Sequence, residues 1–124
     1  MGEEEATIES QFFEFAKLFD SKNRTGETIT LWNSDYWMRQ AGIIDDRKVT
    51  MTDTGIMFNK FSKSEIDFNE WLTFISELCA RKGLCEEKVL EQLTNCGIPG
   101  QYPVEVPQYR SFFSDYKSKH ALVG

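Results

Sequence analysis

Histidine is nearly missing from this sequence: the 124 residues hold one, His120, close to the end. A solitary histidine in a terminal segment supplies no oriented base. The chain also lacks the glycine-rich phosphate loops, the GxSxG elbow and the HExxH helix that carry common catalytic chemistries. The sequence therefore argues against an enzyme. Cysteine is scarce too: Cys79, Cys85 and Cys96 are odd in number and form no CxxC pair. That excludes a disulfide framework and predicts a reduced, intracellular chain, with Cys79 as a core residue. No apolar run approaches the roughly 18 residues of a membrane-spanning helix. The acidic opening Met1–Ala6 is unlike a signal peptide, and Ala6 stands where a myristoylation motif needs Ser or Thr. Positive charge is in deficit, 14 Lys and Arg against 20 Asp and Glu, for a net charge of −6. Such a surface does not suit nucleic acid or anionic lipid. Proline occurs only between Pro99 and Pro107, so the preceding residues contain no proline helix breaker.

What the chain does hold is helical periodicity. Ile8, Phe12, Phe15, Ala16 and Phe19 fall three and four apart and predict a first helix over Thr7–Phe19. After the polar turn Asp20–Gly26, Asn33 reads as the cap of a second helix ending at Gly42, with Trp32 and Trp37 placed to form a hydrophobic staple. Asp45 and Asp46 sit in a connector and read as turn formers rather than as a catalytic carboxylate pair with Asp53. Thr50 and Asp53 form a capping box that opens a third helix to about Lys60. Asp67 and Glu70 form another, opening a fourth helix that carries Phe68, Trp71, Leu72, Ile75, Leu78 and Cys79 and stops at Lys82–Gly83. A fifth helix runs from Glu86 to Cys96. Phe15, Phe19, Trp37, Phe58, Phe68, Trp71 and Ile75 are expected to meet in one core cluster.

Helix–loop–helix occurs twice, which is the plan of an EF-hand pair. The expected fold is all-α, with two EF-hand-like units, a short two-stranded bridge pairing Ile29 with Ile66, and the fifth helix added. The loops are degenerate. Counted from Asn59, position three is Phe61 and position five is Lys63, while Ser64 replaces the turn glycine. Calcium needs about six or more oxygens, several from carboxylates. The first loop carries Lys22 and Arg24 and has no closing carboxylate. Neither loop is expected to bind calcium. The frame is expected to persist because the bridge and the caps hold four helices together. The organisation expected is an acidic end over residues 1–6, a helical core over 7–97 and a Pro/aromatic segment, partly docked on the core, over 98–124.

The stretches Phe12–Asp20, Gly26, Ile43–Thr50, Thr52–Lys60 and Ile66–Trp71 resemble the tubulin polymerisation-promoting protein family, most specifically in Val49-Thr-Met-Thr-Asp53 and in Ile56-Met-Phe-Asn-Lys60. The resemblance covers roughly Phe12–Leu93. It implies a degenerate EF-hand-like core that folds without calcium, and association with tubulin and microtubules. The family's zinc-type His-x7-Cys-x2-Cys run falls here on Thr30, Met38 and Ala41, so no zinc role is carried over and no cofactor is expected. Familiar members are basic, whereas this chain is acidic. A contact with acidic tubulin must therefore use local positive positions: Arg39, Arg47 and Lys48 near the connector, Lys60 and Lys63 in the second loop, and Arg110, Lys117 and Lys119 near the end. The reading is a non-enzymatic microtubule-binding protein of the cytoplasm and cytoskeleton. The alternative is a calcium-independent adaptor that takes another protein or peptide in an interhelical groove.

Overall fold

The computed structural model describes residues 6–101. Among them are five helices and one two-stranded sheet, in the order α1 (Ile8–Ala16), β1 (Thr28–Thr30), α2 (Leu31–Gln40), α3 (Met51–Asn59), β2 (Glu65–Asp67), α4 (Phe68–Lys82) and α5 (Glu86–Thr94). The strands are antiparallel and Ile29 faces Ile66, the expected pairing. Both isoleucines are fully buried, so the bridge is also the roof of the core.

Short side chains set most helix starts. Thr7 with Ser10, Thr50 with Asp53 and Asp67 with Glu70 each exchange reciprocal side-chain and backbone hydrogen bonds. Each pair satisfies two N–H groups that a helix start leaves open. The second helix departs from expectation. Its cap is Thr30, whose hydroxyl accepts from the Asn33 N–H. Asn33 lies inside the helix, and its amide donates to the carbonyls of Ala16 and Leu18, closing the end of α1. The Trp32–Trp37 staple therefore does not form. Trp37 turns into the core while Trp32 lies against Phe19 at the surface.

The first helix is shorter than its apolar stripe, stopping at Ala16. The chain then tightens, with Leu18 N–H bonded to Phe15 O and Asp20 N–H to Lys17 O. Phe19 takes a left-handed backbone, φ 74°, and is 64% exposed. Its place in the expected core cluster is corrected: the turn rotates it off the helical face. A bulky residue in this conformation costs roughly 1–2 kcal/mol.

Around the remaining members the core is aromatic and joins both helix–loop–helix units. Trp37 of the first and Trp71 of the second stack at 4.5 Å between ring centroids, 5° from parallel. Phe15 also stacks on Trp37, at 5.0 Å. Phe58, Trp71 and Ile75 are buried as expected, and Phe68 is partly buried against Trp71. Cys79 is buried, and burial raises its thiol pKa to about 11, so it stays an inert apolar packer.

The last helix, α5, packs against α1 and α4. Val89 and Leu93 supply its buried face. One of its open C-terminal carbonyls is met from the core, where Trp37 Nε1 donates to Leu93 O at 2.9 Å, and Gln11 Nε2 holds the chain just past the helix through Gly97 O at 2.9 Å. Gly26 has φ 87°, and a Cβ there would lie 2.4 Å from the Phe13 ring. Only glycine fits that approach.

Candidate functional site

Each loop that frames a calcium site in an EF-hand holds a side-chain cation here. In the first loop Arg24 reaches inward. Its Nε donates to Ala16 O at 2.6 Å and its Nη2 to Thr28 O at 3.0 Å and to Glu65 Oε1 at 2.6 Å. Two carbonyls and one carboxylate thus converge on a guanidinium. Glu65 belongs to the opposite strand, so this cation also ties the two units together. Arg24, and then the Thr28 hydroxyl, hold the Glu65 carboxyl below its usual pKa. In the second loop Lys63 Nζ lies 2.6 Å from Glu70 Oε2, the carboxylate at the closing position of the loop. Lys63 and then the Asp67 N–H lower the Glu70 pKa. Phe61, which sits where a ligand is needed, is partly buried against the core instead. Among the described residues no three of His, Cys, Asp and Glu gather as a metal-binding group. The donor set does not fit calcium: the oxygens that remain already bind nitrogen cations.

The positive positions named from sequence have different surroundings. Arg39 is turned inward, its side chain 10% exposed, and its guanidinium pairs with Asp46 at 2.7 and 2.9 Å. Lys63 is exposed but paired with Glu70. Arg47, Lys48 and Lys60 are exposed. The first two project from a tight turn in which Asp45 Oδ1 accepts from the N–H groups of Arg47, Lys48 and Val49. Those backbone bonds, Arg47 first, lower the Asp45 pKa, as befits a turn former. Arg110, Lys117 and Lys119 lie outside the described residues, as does most of the segment expected to dock on the core.

Asp35 escaped the sequence reading. It is 1% exposed on α2, and neither carboxylate oxygen has a hydrogen-bond partner. Burial pushes its pKa up to about 7; Thr54 on α3 and Arg39 on α2 pull it down only in part. The Thr54 hydroxyl donates instead to Met51 O, and the Arg39 terminal nitrogens are spent on Asp46. An Asp four residues before an Arg on a helix reads as a solvated pair, so no signal marked it.

The interhelical groove has an owner. Between α1 and α4, where an EF-hand pair takes a target helix, α5 of the same chain is packed. A peptide binding there must displace α5 with its buried Val89 and Leu93. Among the described residues no helix is long and apolar enough to cross a membrane. A family model described as p25-alpha matches residues 9–118. No curated protein matches the chain.

Proposed function

Because the chain belongs to the p25-alpha family, the tubulin polymerisation-promoting proteins, we propose that it is a non-enzymatic, calcium-independent protein that binds tubulin or microtubules. The family match over residues 9–118 carries this reading. Two features of the molecule support it. Side-chain cations pair with a carboxylate in both loops, in keeping with a frame that needs no calcium. Arg47, Lys48 and Lys60 are exposed on a chain of net charge −6 and offer local contacts to acidic partners. Arg110, Lys117 and Lys119 would add to them. Promotion of assembly, bundling or filament stability, and a place on the cytoskeleton, follow as the finer part of the proposal. The adaptor alternative would require a peptide to displace α5 from its packing against α1 and α4.

Co-sedimentation with stabilised microtubules tests the reading. Pelleting that weakens as salt rises is expected, because contacts between exposed charges are screened over about 10 Å at 0.1 M ionic strength. Failure to pellet even at low salt would overturn it. An Arg47→Glu, Lys48→Glu chain that pellets as well as wild type would remove the connector from the contact.

A further inference from the structure

Beside α1 lies an open groove of about 740 Å³, walled by Phe13, Leu18, Phe19, Ile98 and Pro99, with Glu14 also lining it. Its apolar wall is uncovered among the described residues: Phe13 is 43% exposed, and Phe19 and Ile98 are each 64% exposed. Phe19 presents its ring from a left-handed backbone and stands edge-on to Tyr36 at 5.5 Å. Bulky residues seldom persist in that conformation without a use for it. We infer that this groove is the docking site for the chain's own segment Tyr102–Tyr116.

The path of the chain argues for that occupant. Gln40 of α2 fixes residues 96–100 against the bundle: its Nε2 donates to Cys96 O and Ile98 O, each at 2.9 Å, and its Oε1 accepts from Gly100 N–H at 3.0 Å. Gly100 lies beside the Tyr36 hydroxyl. The described chain therefore stops at Gln101, next to the aromatic edge of the groove, with residues 102–124 still to come. No linker has to be spanned, so the local concentration of the next residues is of millimolar order. Their chemistry fits. Tyr102, Tyr109, Phe112, Phe113 and Tyr116 are more aromatic surface than a fully solvated segment carries. Arg110 suits Glu14, the one carboxylate that lines the groove, which Lys17 also lines. Pro103 and Pro107 limit the freedom that docking would remove.

The test uses the full chain, isotope-labelled for NMR, with Phe112→Ser, Phe113→Ser as the variant. Docking predicts that the variant shifts the amide signals of Phe19, Tyr36 and Ile98 and leaves those of α4 unmoved. It predicts that amides within 102–116 exchange about tenfold or more slowly than in an unstructured chain. A second variant, Phe19→Asp, changes an exposed ring for a residue that tolerates the left-handed backbone and is expected to abolish that protection without lowering the melting of the helices. Unprotected amides throughout 102–116 in the wild type would overturn the proposal. So would protection that disappears on dilution, because the occupant would then be a second copy.

Discussion

The two loops solve one problem by different means. In the first, Arg24 is partly buried and binds carbonyls at both ends of its own loop and a carboxylate of the other strand. In the second, Lys63 is exposed and pairs with Glu70 of the same loop. A guanidinium has five N–H donors in a planar fork and can satisfy several oxygens at once, whereas an ammonium on a flexible stem acts as a point charge. The first cation is thus a joint between the two helix–loop–helix units. The second neutralises one carboxylate that is already bound, through Oε1, to the Asp67 N–H of its cap. Degeneracy of a metal loop is therefore not one condition: one loop has a structural substitute, and the other is held by its helix cap.

The joint between the units is strongest in the core, and breaking it there should have the largest effect. Trp71→Ala removes the second-unit half of the stack with Trp37 and orphans Ser34 Oγ, the acceptor of Trp71 Nε1. A loss of about 3–5 kcal/mol is expected from urea unfolding. A loss below about 1 kcal/mol would show that the stack does not join the units.

Next comes Asp35, buried between α2 of the first unit and α3 of the second. Its folded pKa of about 7 lies above the ordinary 3.8. The native state keeps a proton that the unfolded chain releases. The group's contribution is complete below about pH 4 and is lost as pH rises through 7. Wild type is expected to lose roughly 2–4 kcal/mol between pH 4 and pH 8 from this group. Asp35→Asn should flatten that slope and be the more stable chain at pH 8. Parallel pH profiles for the two chains would exclude Asp35 as the cause.

The loops themselves should then separate. Arg24→Ala takes one donor each from Ala16 O, Thr28 O and Glu65, although the Asn33 amide still serves Ala16 O and the Thr28 hydroxyl still serves Glu65, and is expected to cost about 1–3 kcal/mol. Lys63→Ala should melt like wild type, because its pair is solvated. Equal losses for the two variants would erase the distinction drawn between the loops. The smallest expected signal is that of calcium: calorimetric titration of the wild-type chain should show no binding in either loop. Micromolar binding would mean that Arg24 or Lys63 yields its place to the ion.

Local chemistry determined much of this protein in advance. Thr50 with Asp53 and Asp67 with Glu70 announce helix starts because a cap is satisfied within four residues of chain. The isoleucines of the bridge were legible because the loop frame fixes their position, and Gly42 and Gly83 marked helix ends. Phe19 and Asn33 were misread for a common reason. Both lie where one element ends against another, and Asn33 does its work on α1 from inside α2. The inward turn of Arg39, the burial of the Asp35 carboxyl and the packing of α5 against α1 and α4 depend on residues distant in sequence. Periodicity tells which face of a helix is apolar, but not which neighbour covers it or which polar group is sealed in beneath. Only packing decides that, because the cost of burying a carboxylate or exposing a phenylalanine is set by atoms that arrive from elsewhere in the chain.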